Sequence, residues 1–218
     1  MTDRLFDFWS KIPRDACCHP EDATVLGRAP HHFQADCLPA AYWGPLITAP
    51  IVLLFLSPGF TASDVDHAQS EEGRSLYERQ RTGAANLPNE EEYPAAYGWW
   101  NAVTRQFGVD WSTLRKSVAF LNLGAYKSKQ FHDPHMLSAL PSSRVTLAWA
   151  QAILFPQAEA GERLVICLRS AKYWGLATKE DGPFGDALYA PPHTRAGVML
   201  RTPLRDRITA EFRRRLNG

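Results

Sequence analysis

The stretch Ile51-Val52-Leu53-Leu54-Phe55-Leu56-Ser57-Pro58-Gly59-Phe60, residues 51–60, decides the fold of this chain. Its first six residues are apolar without interruption, whereas a half-exposed strand would alternate apolar and polar residues. Such a run is typical of a strand that is buried on both faces of a parallel sheet. The Pro-Gly pair that follows predicts a tight turn directly after the strand. We therefore expect residues 51–56 to form an interior strand.

Two further runs, residues 118–123 and 164–168, have the same character, and residues 187–190 form a weaker fourth candidate. Helical patterns separate these strands. They cover residues 63–80, 94–107, 142–154 (ending at Pro156) and 171–176. Strands that alternate with helices in this way predict right-handed βαβ units. The fold class is therefore predicted to be α/β, a three-layer α/β/α sandwich with a short, mainly parallel four-stranded sheet.

The 218 residues are interpreted as a single α/β domain. Residues 1–45 are interpreted as a wrapping N-terminal segment and residues 203–218 as a basic C-terminal helix. The composition, 45% hydrophobic and 22% charged, is that of a globular protein and excludes a disordered chain or a coiled coil. A net charge of +1 excludes a purely electrostatic DNA binder. Eight acidic groups between Asp64 and Glu92 could form a lid, a partner surface or a wall that repels DNA.

The sequence predicts a cytoplasmic protein. No apolar stretch reaches the roughly 20 residues that cross a membrane, and no secretion signal opens the chain. Four cysteines are expected to be reduced. A metal cluster of Cys17, Cys18, His19, His31, His32 and Cys37 is conceivable, but its spacing fits no common zinc module. A zinc module is therefore not expected here.

Ligands of open α/β sheets bind beyond the carboxyl ends of the strands. After the first strand, the turn Ser57-Pro58-Gly59 offers backbone groups, and Phe60 offers a surface on which a planar base can stack. Asn122 lies within the second apolar run, and its amide could read a pyrimidine edge or simply bond to neighbouring backbone. The aromatic residues at 93–100 are interpreted as core, because helical spacing is more typical of packing than of a stacking surface.

Basic residues and a histidine complete the candidates at the strand ends. Lys127 and Lys129 follow the second run, where they could reach phosphates. His193 and Arg195 lie in a Pro-rich loop after the fourth run. A histidine in this place can donate to a developing anion or transfer a proton, although it could equally be an exposed loop residue.

Three of these stretches, in this order, resemble the motifs of the uracil-DNA glycosylase superfamily. They are residues 56–60 (LSPGF), 120–123 (FLNL) and 190–195 (APPHTR), and the similar order of elements extends from about residue 40 to 200. The resemblance implies an α/β/α sandwich that binds a DNA base flipped out of the stack and excises it.

The resemblance also implies roles for individual residues. Phe60 would stack on the base beside the Ser57-Pro58-Gly59 turn, and Asn122 would select its edge. Asp64 or Asp66, by proximity to this turn, could orient water, and the resemblance implies that His193 would stabilise the negative charge of the departing base. The phosphates of DNA would be held by Lys127, Lys129 and Arg195. This scheme requires neither a metal nor an organic cofactor.

Two departures from the family pattern leave alternatives open. Ser57 stands where active members carry Asn or Asp, and the last loop has His-Thr where the family has His-Pro-Ser. One alternative is a catalytically inactive module on the same fold that binds nucleic acid or nucleotides. Another is an unrelated α/β hydrolase that uses Ser57 as a nucleophile, although Ser57 does not lie in a G-x-S-x-G turn.

Overall fold

The computed structural model describes residues 4–217 and contains a five-stranded sheet. The strands are β1 (Tyr42–Trp43), β2 (Ile51–Phe55), β3 (Val118–Asn122), β4 (Leu164–Cys167) and β5 (Leu188–Tyr189). Their order across the sheet is β1-β3-β2-β4-β5, and all pairs are parallel except β1 with β3. The predicted α/β class with a mainly parallel sheet is thus confirmed. The predicted number of four strands is wrong, because the two-residue edge strand β1 is too short to leave a periodic signal.

Ten α-helices surround or precede these strands within the described residues. They are α1 (Arg4–Ser10), α2 (Pro20–Leu26), α3 (Ser63–Gln69), α4 (Glu71–Arg81), α5 (Pro94–Thr104), α6 (Trp111–Ser117), α7 (Pro134–Ala139), α8 (Pro141–Trp149), α9 (Phe155–Glu159) and α10 (Pro203–Asn217). Short 3₁₀ helices cover Arg105–Phe107 and Ala171–Trp174.

The central strands are buried on both faces, as their continuous apolar sequences predict. Alternate residues of β2 point to opposite sides. Val52 and Leu54 join a core cluster with residues of α1, α8 and α9. Ile51, Leu53 and Phe55 join a second cluster with residues of α4, α5 and α10. Helices therefore cover both faces, and the carboxyl ends of β2, β3 and β4 meet along one edge.

Two helix boundaries differ from the sequence prediction. The predicted helix over residues 63–80 is divided at Ser70, whose Oγ accepts a hydrogen bond from Gly73 N at 3.0 Å and so begins α4 as an N-cap. The predicted stop at Pro156 does not occur. A π-helical turn, Ala150–Leu154, precedes this proline, and the helix continues as α9. The wider turn accommodates the missing N–H that would otherwise end the helix.

The two chain ends pack on the domain in different ways. The described part of the predicted N-terminal segment contributes α1, α2 and strand β1. The predicted basic helix is α10; residue 218 lies outside the described residues. Leu204, Ile208 and Phe212 bury one face of α10. Among the described residues, every helix is too short or too polar to cross a membrane.

Candidate functional site

A cavity with a volume of about 220 Å³ lies at the carboxyl ends of β2 and β3. The turn Pro58-Gly59-Phe60 after β2 forms one side, and the first turns of α5 form another. Its walls are lined by Trp43, Pro58, Gly59, Phe60, Thr61, Asp64, Ala95, Ala96, Trp99, Trp100, Phe120, Asn122 and Lys127. Mostly apolar walls with a few convergent polar groups are typical of a small-molecule site, and the modest volume suits a small ligand.

The cavity walls are rich in aromatic side chains. Phe60 is half-buried at the turn, and the Lys129 ammonium lies 5.7 Å from its ring centroid. Trp99 is 41% exposed, and its ring packs edge-on to Phe55 with centroids 4.9 Å apart. Trp43 and Trp100 are buried and pack on one another. The sequence interpretation of Trp99 and Trp100 as core missed their second role as walls of the cavity.

Asn122, the last residue of β3, presents its amide to the cavity in a fixed orientation. Its backbone N–H donates to Ala41 O at 2.7 Å, and its Nδ2 donates to Ala40 O at 2.9 Å. If the amide were rotated by 180°, Asn122 Oδ1 would face Ala40 O, and both oxygens are acceptors, so this orientation is excluded. The remaining N–H and Oδ1 have no protein partner among the described residues. Asn122 therefore offers one acceptor beside one donor to a ligand.

A buried ion pair forms the floor of the site. Lys127 Nζ lies 3.3 Å from Asp64 Oδ1, and the two side chains are only 5% and 4% exposed. Burial alone would lower the pKa of the Lys127 ammonium, but Tyr77 and Asp64 beside it outweigh burial and raise this pKa. The sequence interpretation placed Lys127 at DNA phosphates. Its position instead fits a contact to a ligand inside the cavity.

The carboxylate of Asp64 is surrounded by donors. Tyr93 OH donates to Oδ1, which Lys127 also approaches. Thr61 N and Thr61 Oγ1 donate to Oδ2 at 2.7 and 3.3 Å. A carboxylate has about four lone-pair positions, and four donors occupy them here. The role of orienting water, which its place in the sequence suggested for Asp64, therefore stays a prediction, and this geometry weighs against it.

Three aromatic side chains, Tyr93, Tyr77 and His67, pack next to the ion pair. Tyr77 OH lies 3.1 Å from Tyr93 OH, and burial raises the pKa of both phenols. The ring of His67 stacks on Tyr93 with centroids 4.3 Å apart, and its Nε2 is buried without a hydrogen-bond partner. Burial and the nearby Lys127 charge lower the pKa of His67, whereas Asp64 acts in the opposite direction.

His67 is expected to make the protein less stable in acid. Because its pKa is lower in the folded state, the unfolded chain binds the proton more readily, and stability falls as the pH drops below the ordinary pKa of 6.5. His67→Phe keeps the ring stack but removes the titration. Urea unfolding between about pH 5 and pH 8 should therefore show a smaller loss of stability in acid for His67→Phe than for the wild type. The exposed His135→Gln serves as the control, and equal losses in all three proteins would contradict this expectation.

The other predicted residues lie at varying distances from the cavity. Ser57 is half-buried two residues after β2, and the next residue, Pro58, is the first of this turn to line the cavity. Lys129 and Arg195 are exposed, as phosphate contacts require. His193 is not among the residues that line the cavity, and its Nδ1 lies 3.0 Å from Thr194 O. The catalytic role of His193 stays a prediction.

The metal cluster considered near the N-terminus does not assemble. His19 caps α2 with Nδ1 and lies within hydrogen-bond distance of Phe8 O with Nε2, so both ring nitrogens are occupied. Within residues 4–217, no group of three or more His, Cys, Asp or Glu side chains is placed to hold a metal ion.

Four of the eight acidic groups in the stretch from Asp64 to Glu92 form ion pairs. Asp64 points inward, Glu71 and Glu78 contact Arg14, and Glu92 contacts Arg79 and Arg115. These ion pairs offset part of the repulsion that the sequence suggested for a DNA strand.

Comparison of the chain with protein-family models, with curated proteins and with solved structures found no match.

Proposed function

We propose that the protein recognises a keto-pyrimidine base of DNA, extruded from the stack into the cavity, on a fold of the uracil-DNA glycosylase type. The observation that carries this proposal is the fixed amide of Asn122 beside aromatic walls. Its free Oδ1 accepts from a ring N–H, and its free N–H donates to the adjacent ring carbonyl. Uracil presents this edge. Cytosine presents a ring nitrogen that accepts beside an amino group that donates, so Asn122 Oδ1 would face an acceptor and its N–H would face a donor.

The aromatic walls and Lys127 support the same ligand. Stacking on Phe60 or Trp99 requires only a flat face, which every base has, so it supplies affinity without selectivity. The Lys127 ammonium is a donor and favours a ring carbonyl over an amino group. The helices on both faces of the mainly parallel sheet are consistent with the three-layer sandwich of that superfamily.

Binding is supported more directly than excision. Ser57 carries no ionised group, and the four donors around Asp64 leave it little capacity to activate water. An unrelated hydrolase that uses Ser57 is less favoured, because Pro58 removes a backbone N–H that an oxyanion hole would use.

The proposal is tested with labelled oligonucleotides, single- and double-stranded, that carry one uracil, thymine or cytosine at the same position. Fluorescence anisotropy should show tighter binding for uracil and thymine than for cytosine, with the preference over cytosine lost in Asn122→Ala. Treatment with hot alkali after incubation then detects excision as strand scission. Equal affinity for the uracil and cytosine oligonucleotides would refute the proposal that the cavity recognises a base. Scission at uracil would extend the proposal to a glycosylase.

Phe60→Ala is expected to weaken binding of the uracil oligonucleotide by about 5- to 150-fold, since stacking on one aromatic ring contributes about 1–3 kcal/mol. Phe60→Tyr retains the aromatic face and should bind nearly as well as the wild type. Phe60 is half-buried, so thermal unfolding should change little in either variant. If Phe60→Ala binds as tightly as Phe60→Tyr, stacking on this ring is excluded.

A further inference from the structure

Three N–H donors between α1 and α4 are buried and lack an acceptor in the part of the chain that the structure describes. They are Trp9 Nε1, Arg81 Nε and Arg81 Nη2. Trp9 is only 1% exposed, and burial lowers the pKa of the Arg81 guanidinium. Folded proteins pair nearly all of their buried donors, because an unpaired donor gives up its hydrogen bonds to water without compensation. Three unpaired donors on two side chains therefore point to a ligand that supplies acceptors.

The unpaired donors of Arg81 form the edge of the guanidinium that binds carboxylates. Nε–H and the neighbouring Nη2–H point in the same direction and match the two oxygens of a carboxylate. The chain uses this edge elsewhere, since Arg214 donates from Nε and Nη2 to the two carboxylate oxygens of Glu211 at 2.7 and 2.6 Å. The opposite end of Arg81 is held in place, because its Nη1 donates to Pro13 O at 3.4 Å. Arg81 is thus fixed at one end and free at the edge that recognises a carboxylate.

Trp9 and Arg81 both line two neighbouring cavities. The inner cavity has a volume of about 10 Å³, roughly the room that one water molecule needs. The outer cavity, with a volume of about 220 Å³, has room for a small organic molecule. None of the residues that line the outer cavity lines the cavity at the ends of β2 and β3. The outer cavity lies between α1 and α4 and is lined by Trp9, Ser10, Ile12, Arg14, Glu78, Arg81 and Thr82.

The carboxylates of the chain leave Arg81 free. Glu78 is the acidic residue that lines the outer cavity, and its Oε2 lies 3.4 Å from Arg14 Nε. Arg14 also contacts Glu71. The charge of Glu78 raises the pKa of Arg81, but burial outweighs it. Because the Glu78 side chain is 62% exposed and can rotate, it is the group that would compete with a bound anion.

We propose that Arg81 and Trp9 bind the carboxylate of a small organic acid, at a site separate from the base-binding cavity. Arg81 Nε and Nη2 donate to the two carboxylate oxygens, and Trp9 Nε1 donates a third hydrogen bond. Ile12, which is 6% exposed, supplies an apolar wall for the body of the acid. The proposal does not depend on base recognition and goes beyond it.

The test compares benzoate with benzamide, which has the same shape but carries no charge. Proton–nitrogen correlation spectra of the labelled protein show the indole N–H of each tryptophan, and the signal that is absent from Trp9→Phe identifies Trp9. Benzoate should shift this signal, and its titration gives the affinity. Benzamide should bind about 10-fold or more weakly, since hydrogen bonds to charged groups are the stronger ones. An unchanged Trp9 signal, or equal affinity for benzoate and benzamide, overturns the proposal.

Substitutions on α4 then test the role of Arg81. Arg81→Lys keeps the positive charge but loses the paired donors, and should weaken benzoate about 10-fold or more. Arg79→Lys, an exposed arginine of the same helix that contacts Glu92, is the matched control and should bind benzoate like the wild type. Glu78→Gln removes the competing carboxylate and should strengthen benzoate binding by about 2- to 5-fold.

Circular dichroism checks that each variant is folded. If Arg81→Lys does not fold, the comparison of benzoate with benzamide on the wild type still decides. Benzoate binding that is the same in folded Arg81→Lys and in Arg79→Lys refutes the role of Arg81. The uracil oligonucleotide tests base recognition separately, so either proposal can fail while the other stands.

Discussion

Lys127→Met is expected to lower the free energy of unfolding by about 3–5 kcal/mol. The substitution leaves the Asp64 carboxylate buried without the ammonium that lies 3.3 Å away. Hydrogen bonds from Thr61 and Tyr93 remain, but they do not supply a countercharge. Urea unfolding, followed by fluorescence and circular dichroism, measures the loss.

This experiment has two controls, a double-mutant cycle and the substitution of a second lysine. Asp64→Asn combined with Lys127→Met removes both charges and should recover a large part of the loss, because the penalty arises mainly from the unpaired charge. Lys129→Met changes an exposed lysine of the same loop and should alter stability by less than about 1 kcal/mol. If Lys127→Met is as mild as Lys129→Met, the buried ion pair has no structural importance.

Asn122→Ala is expected to weaken binding of the uracil oligonucleotide by about 5- to 150-fold, the value of two neutral hydrogen bonds at about 0.5–1.5 kcal/mol each. Binding of the cytosine oligonucleotide should change little, so the preference between the two bases disappears. The variant also leaves Ala40 O without its 2.9 Å donor, which should cost about 1–3 kcal/mol of stability.

Gln80→Ala separates recognition from stability. Gln80 is likewise a buried amide bonded to backbone, with Gly44 N at 2.8 Å and Asn86 O at 2.7 Å, but it does not line the cavity. It should lose stability and retain the uracil preference. If Gln80→Ala loses the preference as well, the effect of Asn122→Ala reflects general loosening and base reading by Asn122 is refuted.

The central strands could be predicted because burial on both faces demands an uninterrupted apolar sequence. The same logic predicted where the cavity lies, since Phe60 follows β2, Asn122 ends β3, and neighbouring parallel strands end at the same edge of the sheet. The short edge strand β1 could not be predicted, because two residues are too few to show an alternation of apolar and polar side chains.

Other parts of the site depend on contacts between residues far apart in sequence. Lysine is rarely buried, so only the fold reveals that Lys127 meets Asp64 inside the cavity. Helical spacing also cannot distinguish a tryptophan that lines a cavity, such as Trp99, from one that fills the core.

The pairing of β2 has a consequence for how the chain is made. Ile51 pairs with Val118 and with Leu164, 67 and 113 residues further along the chain. At roughly 5–20 residues per second, the ribosome needs on the order of ten seconds to deliver the second partner of this strand. Until then, the apolar residues 51–56 have neither neighbour and form a segment of the kind that self-associates. Chaperone supply and growth temperature should therefore govern the soluble yield of this protein more than the stability of its finished fold.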